Sequence, residues 1–241
     1  MNDHIYLKPE KIIKTIDLLE KRVSDRFPDS SLREICHQFL DTAQQSKQNI
    51  QWISAPNIPL RFFSYLIILI GLCGLIYSIT FIDIKIENTT LANVVAVSEA
   101  IFNDIILLGA AIFFLISLES RLKTRRALKS LNDLRVIAHV IDMHQLTKDP
   151  YVNDLPQFAT ENSPKRPLSK FELQRYLDYC SEATALIGKV AALYSQSLPD
   201  EAVVRAVNEI EILTTGLSRK IWQKLIILSE TDTNKIKTKT Q

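Results

Sequence analysis

His139, Asp142 and His144, in the run His139-Val140-Ile141-Asp142-Met143-His144, are the densest local set of side chains able to hold a cation or move a proton. On a helix, His139 and Asp142 project from adjacent turns toward one point, whereas His144, five residues beyond His139, points elsewhere. A transition-metal site needs three or four converging ligands, and this run offers two. Acid–base chemistry would be open to His139, Asp142, His144 and Asp149, but no activated nucleophile or oxyanion-stabilising device accompanies them. The expectation is therefore helix-end histidines at a surface or in packing, with no metal and no cofactor.

Glycine and cysteine usage narrow the chemistry further. Of five glycines, Gly71, Gly74 and Gly109 fall in apolar segments and only Gly188 and Gly216 lie elsewhere, so no phosphate-cradling loop or dinucleotide fingerprint can be built. Cys36 and Cys180 stand without a neighbouring cysteine on apolar helix faces, and Cys73 lies in an apolar segment. All three read as reduced thiols, with no disulfide.

Two apolar stretches must position everything else. Residues 62–82 and 101–118 are each long enough to cross a hydrocarbon core of about 30 Å as a helix, which satisfies its own backbone hydrogen bonds in lipid. The mean hydropathy near zero reflects polar flanks diluting these segments. Arg61 precedes the first stretch, and Arg121, Lys123, Arg125, Arg126 and Lys129 follow the second. The connection 83–100 carries one cation, Lys85, against Asp83, Glu87 and Glu99. This asymmetry predicts an integral protein of a plasma or inner membrane with both termini cytoplasmic and 83–100 as a short external loop. No secretory leader is expected, because apolar sequence begins only at Phe62. Asn88-Thr89-Thr90 fits a glycosylation acceptor in that loop, a short motif that recurs by chance.

The flanks read as helices. Ile12, Ile16, Leu19, Val23 and Phe27 recur at helical spacing between Pro9 and Pro28. A second helix opens at Ser31 with Glu34 at capping-box spacing and is expected to fade in the Gln-rich stretch 44–51. Trp52 to Leu60, with Pro56 and Pro59, is expected as a non-helical approach to the membrane, with Trp52 at headgroup level. No proline occurs between Thr90 and Asp149, so the second span is expected to run on into a cytoplasmic extension, 119–146, as one helix of over fifty residues. A Pro-rich loop is expected over 147–168, a helical hairpin over 169–229 opening on a Ser169/Glu172 capping box, and a disordered tail over 230–241. The fold class is all-α: a two-pass transmembrane hairpin with a cytoplasmic helical bundle built from 1–61 and the C-terminal flank.

Function is read from surfaces. Ser64, Gly71 and Ser78 in the first span, and Ala96, Asn103, Ala110 and Ser117 in the second, recur every seven residues and mark faces where helices approach closely. The same stripe, with Glu99 one turn before Asn103 and Asp104 near the outer boundary, is the candidate wall of a conduit. The basic run Arg121 to Lys129 suits anionic lipid, though fixing topology is sufficient reason for it. A net charge of +2, with acids interspersed through the flanks, argues against nucleic acid. The leading expectation is a non-enzymatic, homo-oligomeric membrane protein that couples a cytoplasmic interaction domain, with a possible protein partner, to the hairpin. A membrane-permeabilising effector or small channel is the alternative; its layout is similar to bacterial two-helix membrane effectors in architecture alone, with no shared motif. A membrane-tethered, metal-dependent enzyme using the region His139 to Asp149 is third.

Overall fold

The structure is a computed structural model that describes residues 6–80, 91–148, 150, 161 and 168–239, and among these it is all-helical, with no strand. In chain order the helices are α1 (Pro9–Arg26), α2 (Ser31–Ser54), α3 (Ile58–Thr80), α4 (Leu91–Leu146), α5 (Lys170–Ser197) and α6 (Glu201–Lys239). They divide into two units: residues 55–125, holding α3 and the first part of α4, and the remainder.

The second of these units is a helical bundle with a continuous apolar core. One stripe of each helix goes inward: Ile16, Leu19 and Val23 from α1, Leu32 and Phe39 from α2, Leu131, Leu134 and Ile141 from α4, Leu177 and Ile187 from α5, and Ile210 and Ile221 from α6. Phe27, just beyond α1, meets the rings of Tyr176 and Tyr179 edge-on at 5.6 and 6.3 Å, a favoured geometry for aromatic pairs. Cross-helix contacts give the directions. Glu10 pairs with Lys47 and Arg22 with Glu182, so α1 runs antiparallel to both α2 and α5. Asn49 with Ser130 and Ser31 with His144 make α2 antiparallel to α4, while Arg135 with Glu209 and Gln145 with Lys224 make α4 and α6 parallel.

Caps explain most boundaries. Ser169 and Glu172 form the expected reciprocal box at the start of α5, and the Asp200 carboxylate accepts from the Ala202 and Val203 amides at the start of α6. At α2 the expectation is off by one: the Ser30 hydroxyl accepts from the Arg33 amide at 3.3 Å, and Ser31, the first helical residue, turns its hydroxyl to His144. Nor does α2 fade among the glutamines. Ser46, Ile50 and Ile53 keep the buried stripe in phase, so the helix continues to Ser54 and carries Trp52 within it. The break is only residues 55–57. Asn57 then caps α3, and Pro59 falls in its first turn, where a missing N–H is harmless.

Helix α4 is continuous over 56 residues, as the absence of proline predicts, and its first turns take up the second half of the expected loop 83–100. Helix α6 runs on to Lys239, through most of the stretch 230–241 expected as a disordered tail; after Gly216 no glycine or proline interrupts it. Asp149, the sequon at Asn88 and most of the Pro-rich loop lie outside the described residues.

In unit 55–125 the packing is of another kind. α3 and α4 run antiparallel, with Arg61 beside Glu119 and Gly71 against Leu108. A Cβ at Gly71 would come 3.0 Å from Leu108 Cδ1, so the glycine permits this approach. Ser64 is the single buried side chain of the unit among the described residues. Apolar side chains elsewhere on both helices face outward: Phe62, Phe63, Ile70, Ile106, Leu107 and Phe113 are 60–69% exposed. Both helices are long and apolar enough to cross a membrane, and only 6% of one apolar window and none of the other is buried within the protein.

Candidate functional site

The most elaborate polar arrangement outside the bundle core sits where α3 begins and the apolar part of α4 ends. Glu119 gathers three donors: Arg61 Nε at 2.6 Å, Lys123 Nζ at 2.9 Å and the Asn57 backbone N–H at 3.1 Å. Lys123 also donates to the Ala55 carbonyl at 2.7 Å, which ties down the three-residue break before α3. The carboxylate is 14% exposed, and its hydrogen bond from Arg61, reinforced by Lys123 and the Asn57 amide, holds its pKa down to about 2 against the cost of burial. It stays ionised and clasps α3 to α4. Arg61 and Lys123 are spent on this clasp; Lys123 meets Glu119 at helical i,i+4 spacing, whereas Arg61 lies 58 residues away, a pairing local spacing does not reveal.

The rest of the basic run separates by role. Arg126 belongs to the bundle: its Nε donates to Asn49 Oδ1 at 2.9 Å and its guanidinium lies 4.6 Å from the centre of the Trp52 ring. Trp52 is thus half-buried against the bundle core and engaged by a cation, where headgroup contact was expected. Arg121 lies over the Phe114 ring at 5.9 Å, and Arg121, Arg125 and Lys129 are exposed.

The seven-residue stripe is only partly assembled within one copy. Ser64 is buried, Gly71 meets Leu108, and the Ser117 hydroxyl donates to the Phe114 carbonyl at 2.9 Å. Glu99, Asn103, Asp104 and Ala110 are exposed on α4. Side chains of Ser78 and Ala96 lie outside the described residues.

The histidine run does not converge. His139 is exposed; Asp142 accepts from Gln145 Nε2 at 2.6 Å; His144 Nδ1 lies 3.2 Å from Ser31 Oγ on α2. Burial, with Lys148 nearby, lowers the His144 pKa and favours the neutral ring. Among the described residues no three of His, Cys, Asp and Glu come together as a metal site would require. The end of α4 is finished instead on the Gln145 carbonyl, which accepts from the Lys148 backbone N–H at 3.1 Å and from the Lys224 ammonium at 2.6 Å, a cation placed at the helix C-terminus. Cys36 and Cys180 are core thiols: burial pushes Cys36 up to about 12 and Cys180 higher still, so neither is a ready nucleophile.

A groove of about 480 Å³ runs along the outer seam of α5 and α6. Ala185, Gly188 and Ala192 form one wall, Thr214, Thr215 and Ser218 the other, with Lys189 and Glu211 on opposite rims. Gly188 lets α6 approach, since a Cβ there would lie 3.2 Å from Thr214 Oγ1. The Thr184 and Ser218 hydroxyls, 2.9 Å apart, bridge the helices beneath it. No spacing in the sequence marks this groove, because it exists only once two helices are paired.

No protein-family model, no curated protein and no solved structure matches this chain.

Proposed function

We propose that this chain is a non-enzymatic integral membrane protein in which α3 and the first part of α4 cross the bilayer as a hairpin, both termini lie in the cytoplasm, and copies associate through the hairpin. The observation that carries this reading is the exposure of apolar side chains around two helices in a protein whose other helices each bury a continuous apolar stripe. A core helix of a soluble domain would be covered; these windows are 6% and 0% buried. Lipid, and other copies, are the proposed cover. Association is supported by Asn103, an exposed amide among Phe102, Ile105 and Ile106, which in hydrocarbon would gain from an interhelical partner. The bundle then serves as an interaction domain on the cytoplasmic side, with α4 common to both units and the Glu119 clasp securing the hairpin base. The test is carbonate extraction of membranes, followed by cytoplasm-side proteolysis of sealed vesicles. Retention in the pellet with both flanks digested is the expected result, and a freely soluble full chain overturns the reading.

A second reading, a membrane-permeabilising effector or channel, is favoured by one observation: Glu99, Asn103 and Asp104 crowd the same end of α4, all exposed. In oligomers these polar groups would ring an opening. Ion release from vesicles by wild-type protein, abolished in Asn103→Leu, would select this reading over scaffolding.

A further inference from the structure

We propose that Arg121 and Arg125 form a binding site for the phosphate of anionic phospholipid headgroups on the cytoplasmic leaflet. The inference rests on the membrane reading above and goes beyond it by separating cations of one basic run that composition treats alike. Lys123 is spent on Glu119 and the Ala55 carbonyl, and Arg126 on Asn49 and Trp52. Arg121 and Arg125 are left exposed, with no carboxylate partner among the described residues. Four residues apart on α4, they share a face and stand about 6 Å apart along the axis.

Their depth is right for a headgroup. Counted from Leu118, the end of the apolar stretch, Arg121 lies about 4.5 Å further along the helix, within a polar layer about 5–8 Å thick per leaflet, and Arg125 about 10.5 Å, just outside it and within reach of its phosphates through a long side chain. The Arg121 guanidinium leans back over Phe114, itself 52% exposed, so the cation is drawn toward the apolar boundary where lipid phosphates lie. Guanidinium groups offer paired N–H donors that match phosphate oxygens, which suits a bound headgroup better than diffuse attraction alone.

The experiment reconstitutes the full chain in vesicles of phosphatidylcholine mixed with an equal share of phosphatidylglycerol, floats the vesicles, and reads protein-bound lipid with spin-labelled analogues of each. Wild type should favour the anionic label over the zwitterionic one. Each single Arg→Gln variant should lose about fivefold of that preference, from a surface cation's usual contribution, and the double variant roughly tenfold or more. Arg121→Lys with Arg125→Lys should retain part of it, and Lys123→Gln, which removes one donor of the clasp but spares the pair, should retain nearly all. No preference in floated wild type, an equal loss in Lys123→Gln, or displacement of the label by inorganic phosphate as effectively as by lipid would each overturn the headgroup site. Failure of wild type to float at all would overturn the membrane reading beneath it.

Discussion

Between Phe102 and Ile116, α4 turns apolar side chains in every direction and none of those described is buried; between Ala127 and Ile141 the same helix buries Ala127, Leu131, Leu134, Ala138 and Ile141 along one stripe and leaves charges on the other side. Hydrophobicity is common to both lengths. They differ in its angular distribution: a narrow stripe calls for neighbouring protein, whereas an unbroken apolar surface calls for an apolar surrounding. The bundle therefore answers its own demand, and the unit spanning 55–125 does not.

The contrast can be broken by substitution. Phe39, fully buried, should cost about 3–5 kcal/mol of bundle stability when cut to Ala, whereas Phe113→Ala, at 69% exposure, should move bundle unfolding by less than about 0.5 kcal/mol. Denaturant unfolding followed by near-ultraviolet dichroism checks both, and comparable losses would erase the distinction. Ile106→Arg comes next. It should reduce membrane integration by up to about 2.5–3.5 kcal/mol, the cost at the centre of a span, while leaving bundle unfolding unaltered; an Arg tolerated there in the pelleted fraction would show that the exposed surface faces water.

The Glu119 clasp sharpens the comparison at its border. Its carboxylate pKa is lowered, so its contribution is present in full above the ordinary carboxylate value and is lost as pH falls from there toward about 2. Glu119→Gln should cost about 1–2 kcal/mol near neutral pH, reduced by the solvent that reaches Arg61, and should flatten this acid-side loss. Crosslinking between α3 and α4 measured across the acid range reads both effects. A small effect of opposite sign belongs to Tyr194, whose hydroxyl is buried without a hydrogen-bond partner among the described residues. Tyr194→Phe should raise bundle stability by about 1 kcal/mol, and a loss of that size would reveal a partner for the hydroxyl.

What could be read in advance was whatever depends on near neighbours. The Ser169/Glu172 box, the unbroken course of α4 and the inward stripes of α1 and α5 follow from spacing and from where proline is absent. By spacing either Ser30 or Ser31 can cap α2, and His144, 113 positions from Ser31, decides which hydroxyl is otherwise engaged. The glutamines of α2 signal a helix end by polarity alone, but Ile50 and Ile53 hold the buried phase through them. Arg61 with Glu119, Arg126 with Trp52 and the α5–α6 groove are long-range pairings that no local period encodes. That His144 diverges from His139 follows from their five-residue spacing, whereas its partner Ser31 on α2 does not.

The three cysteines give this chain its own chemical clock. Cys36 and Cys180 are sealed in the bundle, and Cys73 is open on α3. A maleimide mass tag would stain Cys73 at a pace set by whether the reagent dissolves in oil or in water, while the two sealed sulfurs would react only when the bundle breathes apart. One native molecule would thus time its own opening and sense its own solvent in a single gel lane, with no engineered label.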